Sequence, residues 1–247
     1  MKHADHQQIG ILGYGEVGQA IAKFYNNPLI KDLARNDGLK GVHVLHVCIP
    51  WSSRFSEIVK KEIKEIKPQL TIIHSTVAPS TTKKIGGAIV HSPIRGIHPH
   101  LYKGIKTFVK YVGADDLKTG NMAKRHLELV GMGSKVNVVT PSLTTELGKL
   151  LDTTYYGLCI AWHAEMKAIC NKFRVDFQHA VTDFNETYNQ GYTLLGKRNV
   201  VRPVLYPPTD GIGGHCIIPN AEMLKQYVHS CGVDFVLQHK TKRKKNE

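Results

Sequence analysis

The sequence predicts an α/β protein: a doubly wound parallel sheet followed by a mainly helical domain with a long central helix. Three observations carry this. Short apolar segments alternate with segments of helical periodicity from Gln8 to Pro141. A glycine-rich hexapeptide, Gly13-Tyr14-Gly15-Glu16-Val17-Gly18, directly follows the first apolar segment. A run without proline, Leu143 to Phe173, keeps apolar residues at helical spacing throughout. Strands that alternate with helices form parallel sheets, because each crossover returns the chain to the same edge.

The elements follow in order. Gln8 to Leu12 is a strand, the glycine segment is a turn, and Gln19 to Phe24 has helical spacing. A second strand fits Leu29-Ile30-Lys31 and ends at Asp32; a third, strongly apolar, fits Val42 to Ile49. Between Asp32 and Val42 there is room for only a loop or one helical turn. After Pro50 an amphipathic helix spans about Ser53 to Ile66. Phe55, Ile58, Val59, Ile63 and Ile66 share its inner face, and Lys60, Lys61, Glu62, Lys64 and Glu65 cover the outer one. Pro68 stops it, and Leu70 to His74 is the next strand. Further strands fit Ala88 to His91, Phe108 to Val112 and Val136 to Val139, closing the domain at Pro141. The Leu143 to Phe173 helix is apolar on several faces, so it must be buried under other helices or in a dimer interface. Asp176 to Gln238 reads as shorter helices interrupted by the Pro- and Gly-rich stretch Pro203 to Pro219. The division is thus residues 1–141 for the sheet domain, 142–238 for a helical dimerisation and substrate domain, and 239–247 for a basic tail.

Composition bounds the function. The chain has 247 residues, 42% of them hydrophobic, enough for a substantial core. It contains no apolar run near the roughly 18 residues that a membrane span needs. Met1 to Gln8 is polar and offers no apolar signal-peptide core, which points to the cytoplasm. The five cysteines, Cys48, Cys159, Cys170, Cys216 and Cys231, are widely spaced and never form C-x-x-C, so they read as reduced thiols. Part of the +13 formal charge sits in Lys240, Lys242, Arg243, Lys244 and Lys245. Such a run is a solvated end before it is a nucleic-acid site.

The hexapeptide matches G-x-G-x-x-G between a strand and a helix, with an acidic residue, Asp32, at the end of the following strand. In a Rossmann-type domain the first glycine permits the tight turn, the second lets a pyrophosphate approach the backbone, and the third lets helix and strand pack closely. Asp32 there accepts from the adenosine ribose and repels a 2′-phosphate, which favours NAD over NADP. The alternatives are a turn that serves only the fold and a plain loop carboxylate. Cofactor-binding candidates are Gly13, Tyr14, Gly15, Glu16, Val17, Gly18, Asp32, Ile49, Pro50 and Ser75.

Gly211-Ile212-Gly213-Gly214-His215-Cys216-Ile217-Ile218-Pro219-Asn220 sets a thiol among glycines beside a histidine, which favours an accessible, partly ionised nucleophile over inert packing. With Ile73-His74-Ser75-Thr76-Val77-Ala78-Pro79, Thr145-Glu146-Leu147-Gly148-Lys149-Leu150 and the glycine turn, this segment resembles the UDP-glucose/GDP-mannose (nucleotide-sugar) dehydrogenases, especially those acting on N-acetylated sugars. The resemblance implies an NAD-dependent oxidoreductase that oxidises an alcohol of a sugar-like substrate in two hydride transfers. It makes Cys216 the thiol that carries the thiohemiacetal and thioester, Lys149 the oxyanion-stabilising cation, and Thr76 the residue that positions water. Arg95 and His215 are substrate-binding candidates, with a surface salt bridge the alternative for Arg95.

The chain departs from that pattern at three positions. Thr153 stands where the family has Asn, Asn220 where it has Asp, and Ile94 where it has the Glu of a Pro-Glu pair. Neither an amide nor an isoleucine serves as a general base. The family's C-terminal nucleotide-binding domain is expected to be missing. A relative that binds NAD without full turnover is the competing reading. His91, His98 and His100 lack a carboxylate or cysteine pattern for a metal and read as loop residues facing a ligand. Glu146 is positioned to pair with Lys149, and Tyr155 and Tyr156 read as core or interface. A homodimer through the long helix is expected.

Overall fold

The computed structural model describes residues 8–97 and 99–241. His98, most of the polar N-terminal segment and Lys242 to Lys245 of the basic run lie outside them. The described residues form two compact units that divide between Lys149 and Leu150.

The first unit holds eight strands in one sheet: β1 (Ile9–Leu12), β2 (Leu29–Asp32), β3 (Arg35–Asn36), β4 (Val44–Val47), β5 (Leu70–Ile73), β6 (Ile89–His91), β7 (Lys110–Ala114) and β8 (Val136–Val139). Their order is β3-β2-β1-β4-β5-β6-β7-β8. The β2–β3 and β6–β7 pairs are antiparallel and the rest parallel. The helices are α1 (Glu16–Ala22), α2 (Phe55–Ile66), α3 (Thr81–Ile85), α4 (Leu101–Thr107), α5 (Leu117–Leu129) and the start of α6 (Leu143–Phe173). The bounds predicted for β8 and α6 match, whereas α3, α4 and α5 are additions. Asp116 caps α5 by accepting from the Thr119 amide at 2.8 Å, an Asp–Asp–Leu start that fits the N-cap preference.

Strand periodicity sorts the core. Val44 on β4, Leu70 and Ile72 on β5 and Ile9 and Ile11 on β1 pack on one face against Ala20 and Ile21 of α1 and Ala123 and Leu127 of α5. Leu45 and Val47, with Leu12 and Ile73, face the other way onto Phe55, Val59 and Ile66 of α2. Each fully buried side chain of this kind contributes about 1.5–3 kcal/mol.

Two local expectations are corrected. Asp32 to Val42 is not only loop: Arg35–Asn36 turns back on β2, with Asp37 accepting from the Ile30 amide at 2.9 Å and from Arg35 at 2.7 Å. Glu62, assigned to the outer face of α2, is buried. Both its oxygens accept from Lys31 Nζ, at 2.8 and 2.7 Å, tying α2 to β2. Apolar periodicity carries no information about such an ion pair.

In the second unit α6 continues from Leu150, followed by a π-helical segment Gln178–Asp183, α7 (Phe184–Leu194), a 3-10 turn Arg198–Val200, α8 (Ile217–Lys225) and α9 (Cys231–Gln238). Leu150 and Ala161 of α6 are buried, but Leu151, Tyr155, Tyr156, Trp162, Ile169 and Phe173 are about half exposed or more. The chain's own described helices therefore leave much of α6 uncovered, and Tyr155 and Tyr156 are not core. No described helix is long and apolar enough to cross a membrane.

The packing of α1 on β1 leaves no room at Gly18, where a Cβ would lie 2.0 Å from the Gly13 carbonyl oxygen. Gly18→Ala is expected to lower stability by about 3 kcal/mol, read as a shift in the urea midpoint. An unchanged midpoint would show that the turn can relax.

Candidate active site

The strand order reverses between β1 and β4, and ligands of open α/β sheets bind at the carboxyl end of such a switch point. Gly13 leaves β1 there with φ +93°, and a Cβ on it would come within 2.8 Å of the Cys48 carbonyl carbon and the Ile49 nitrogen at the end of β4. Only glycine meets both conditions. At Gly15 nothing lies within 4 Å of the Cβ position. The three glycines thus divide their tasks: Gly13 and Gly18 close the turn, and Gly15 faces open space that a phosphate can enter.

Asp32 fastens this turn. Its Oδ2 accepts from the Tyr14 amide, and its Oδ1 accepts from the Leu33 amide at 2.6 Å. Arg35 lies 5.9 Å from the Tyr14 ring centre, so the β2–β3 hairpin brings a cation to the edge of the site. Ser75 Oγ donates to the Ile49 carbonyl at 2.6 Å, holding the ends of β4 and β5 together. Thr76 follows, half-buried. Glu16 and Val17 form the first turn of α1, and Pro50 follows Ile49 at the rim of β4. The residues fit a dinucleotide through the open Gly15 position and the ribose-side carboxylate.

His91 is no loop residue. It ends β6 fully buried, its Nε2 donating to the Ser75 carbonyl at 3.1 Å and its Nδ1 2.8 Å from Thr145 Oγ1 at the start of α6. Glu146 is also buried, accepting from the amides of Ser80 and Thr82 at 2.6 and 2.8 Å and from the Thr82 hydroxyl at 2.7 Å. Burial raises its pKa against those three bonds. Its oxygens serve the start of α3. Lys149 follows one turn later on α6, and Thr153 another turn on, in the second unit. Arg95 stacks over Phe108, 5.2 Å from the ring centre, and Ile94 belongs to the core.

In the second unit Cys216 is exposed and sits at the N-cap of α8. The preceding glycines are pinned from behind: Ile212 donates to the His239 carbonyl at 2.6 Å and accepts from the Thr241 amide at 3.1 Å. A Cβ at Gly211 would lie 2.7 Å from that same His239 oxygen. His215 is exposed beside the thiol, and Asn220, one turn into α8, is buried. The structure thus groups His215, Cys216 and Asn220 in one unit and the glycine turn, Asp32, Ser75, Thr76 and Lys149 in the other.

Sequence reasoning missed a buried polar array under the sheet. Tyr25 OH lies 2.8 Å from His46 Nε2 and 2.7 Å from His126 Nε2. His46 Nδ1 meets His74 Nε2 at 2.8 Å, and His74 Nδ1 donates to the Ser92 carbonyl at 2.9 Å. Lys110 Nζ donates to the same carbonyl at 2.6 Å and to that of Pro93 at 3.0 Å. The one sequence signal was His46 inside the apolar run Val44-Leu45-His46-Val47.

The fold and the glycine turn define the class: an α/β protein of the Rossmann type. No family model matches the chain. It is nevertheless similar to nucleotide-sugar dehydrogenases. The UDP-N-acetyl-D-mannosamine dehydrogenase of Methanococcus maripaludis is 29% identical over 154 residues, covering 60% of this chain and 33% of that protein. The enzyme of that name from Pyrococcus horikoshii is 22% identical over 225 residues, covering 82% of this chain and 50% of that one. The chain therefore spans a third to a half of the length of these two relatives. A solved UDP-D-ManNAc dehydrogenase of P. horikoshii superposes with a TM-score of 0.75 at 17% identity, over 94% of this chain and 67% of that one. The fold is shared further with a Mycobacterium tuberculosis 3-hydroxyisobutyrate dehydrogenase, at a TM-score of 0.67 and 14% identity, over 94% of this chain and 91% of that one.

Burial holds His46 and His74 well below the usual histidine range, His91 at about 3 and His126 at about 4. Burial likewise lowers Lys110 to about 7. An unfolded histidine takes up its proton near pH 6.5. Below that pH the unfolded state binds more protons, so stability is lost as pH falls. The slope approaches about 1.4 kcal/mol per pH unit for each such histidine. Lys110 acts with the same sign between its folded value and the unfolded value of about 10.4. Urea midpoints are expected to drop between about pH 6.5 and pH 5; a flat profile would contradict neutral burial of the histidines.

Proposed function

We propose that the chain is an NAD-dependent oxidoreductase that oxidises an alcohol of a nucleotide-sugar-like substrate. The observation that carries this reading is the glycine turn at the switch point, fastened by Asp32 and open at Gly15. The names of the relatives support the substrate class. Bound NAD would supply the hydride acceptor. The pyrophosphate would lie against Gly13 to Gly18, and Asp32 would meet the adenosine ribose with the lone pairs left by Tyr14 and Leu33. A 2′-phosphate there would face a carboxylate, a repulsion that favours NAD over NADP.

On the substrate side, exposed Cys216 would attack the aldehyde formed by the first oxidation, giving a thiohemiacetal that the second hydride transfer converts to a thioester. Lys149 would stabilise the developing oxyanion, Thr76 would orient water, Thr153 would stand in the place of the family's Asn, and Arg95 and His215 would contact substrate. Asn220 cannot take the proton of an attacking water, so thioester hydrolysis would be the slow step. The second reading, an NAD-binding relative without full turnover, is favoured by the same amide and by Ile94 packed in the core. Rising NADH absorbance with UDP-N-acetyl sugars or simple alcohols decides between them.

Calorimetric titration is expected to give tighter binding of NAD than of NADP. Gly15→Ala should weaken NAD at least about tenfold, since it fills the space left for phosphate; equal affinities for the two dinucleotides would reject the role of Asp32. With a substrate that turns over, Cys216→Ser should abolish carboxylate formation while the first hydride transfer persists. An unchanged product would make Cys216 a bystander.

We also propose a homodimer through α6, because Leu151, Tyr155, Trp162 and Ile169 are left exposed along it and apolar stripes of this kind mark interfaces. Light scattering at micromolar concentration is expected to give twice the chain mass, and Trp162→Glu to lower it. A clean monomer for the unaltered chain would overturn this assignment.

A further inference from the structure

A cavity of about 220 Å³ opens at the amino edge of the sheet, beside the first residues of β4 and β5, Val44 and Leu70. It lies at the opposite end of those strands from the glycine turn, so the dinucleotide reading does not use it. Leu129 and Met122 of α5 complete its apolar wall, and His43, Gln69, Arg125 and His126 supply its polar groups. No carboxylate is among the lining residues.

The buried array determines what these groups offer. At its far end His74 Nδ1 lies 2.9 Å from the Ser92 carbonyl, which can only accept, and 3.5 Å from Lys110 Nζ; the closer carbonyl takes the Nδ1 proton, so His74 presents a bare Nε2. His46 must then donate from Nδ1 and accept at Nε2. Tyr25 donates to that nitrogen, and its oxygen accepts from His126 Nε2–H. The proton of neutral His126 is thereby committed to Tyr25, and its Nδ1 is left as a lone pair. That atom is buried and has no hydrogen-bond partner among the described residues, on a residue only 8% exposed. His43 is fixed in the opposite sense: its Nδ1 accepts from the Gln8 amide at 3.1 Å, so Nε2–H is a free donor. The cavity lining therefore brings together the residue that bears this lone pair, the His43 Nε2–H donor, the guanidinium of Arg125 and an aliphatic wall.

We infer that this cavity binds a small monocarboxylate with an aliphatic body, and that binding is coupled to uptake of one proton at His126 Nδ1. The proton comes from solvent. His126 becomes a cation with N–H groups on both nitrogens, Nε2–H stays on Tyr25, and Nδ1–H donates to the carboxylate. No other bond in the array has to reverse. Arg125 and His43 Nε2–H are the further donors, and the aliphatic chain covers Val44, Leu70, Met122 and Leu129. The groups that face His126 agree with this assignment. Tyr25 and His46 are neutral and uncharged toward it. Arg125 on its own helix repels the proton in the empty site and is offset when an anion arrives. Glu128 is spent on Lys124, at 3.8 Å.

The test uses the whole chain labelled with 15N on histidine imidazoles and titrated with butyrate. Before addition, His126 is expected to be the Nε2–H tautomer and His46 and His74 the Nδ1–H tautomers. Butyrate should move the His126 Nδ1 resonance saturably to its protonated position. Apparent affinity should rise about tenfold per pH unit lowered between about pH 7.5 and 6, the slope for one linked proton. Arg125→Ala, an exposed position that leaves the core intact, should weaken butyrate at least about tenfold. His126→Gln, where it folds, should abolish the pH slope. Butyramide should not bind, and phosphate should bind more weakly because it leaves the apolar wall uncovered. The inference is overturned if butyrate leaves His126 unmoved, if its affinity is independent of pH, if Arg125→Ala binds equally well, or if phosphate competes as strongly as butyrate.

Discussion

The close approach of α1 to β1 governs the geometry of the first unit. A Cβ at Gly18 would lie 2.0 Å from the Gly13 oxygen, and one at Gly13 would strike the backbone at Cys48 and Ile49. These two absences of a side chain let the helix start directly over the end of its strand and let β1 turn off beside β4. From that position Tyr14 reaches Asp32, which links the turn to the next strand and places a carboxylate at the rim. The open face of Gly15 is a consequence: once the turn is closed on both sides, its remaining surface points outward along the carboxyl edge. The open face of Gly15 and the tight backbone packing at Gly13 and Gly18 are here the same structural requirement.

Much of this was legible in the sequence because it rests on local rules. Alternating strands and helices, the glycine spacing and Pro68 after Ile66 all act over a few residues, and β8 and α6 fall within their predicted bounds. What escaped depends on partners distant in sequence. Glu62 looked like an outer-face charge because nothing near it announces Lys31 on β2. Glu146 announces nothing of the start of α3, more than sixty residues earlier, whose amides its oxygens accept from. The short helices α3 and α4 have too few turns to show a clear apolar stripe. The long helix was expected to be covered, and its exposed Trp162 and Ile169 show that apolar periodicity reports a need for burial without naming what meets it.

The candidate site divides in the same way. The glycine turn and the cysteine segment are contiguous in sequence and could be read directly; their supports could not. Gly211 needs its φ of +88° because the chain after α9 runs behind it. Ser75 matters as much through its bond to Ile49 as through any ligand. His91, which looked like part of a loop of histidines, instead joins β6 to the start of α6 through Thr145.

The array from Ser92 to His126 shows why a polar interior can be worth retaining despite its cost. Unpaired buried polar groups cost roughly 1–3 kcal/mol each, and an array of neutral imidazoles escapes that cost only when every donor finds an acceptor in sequence. The Ser92 carbonyl, which can never donate, sets the direction of each bond from β6 across β5 and β4 to α5. Burial first, and then the Lys110 charge held beside it by two bonds to carbonyls, keep His74 from taking a second proton. A direction fixed at one end of a hydrogen-bonded chain is necessarily expressed at the other. The state of the His126 ring at the amino edge of the sheet is therefore determined by a main-chain carbonyl beyond the carboxyl end of β6, through bonds alone and without movement of the backbone.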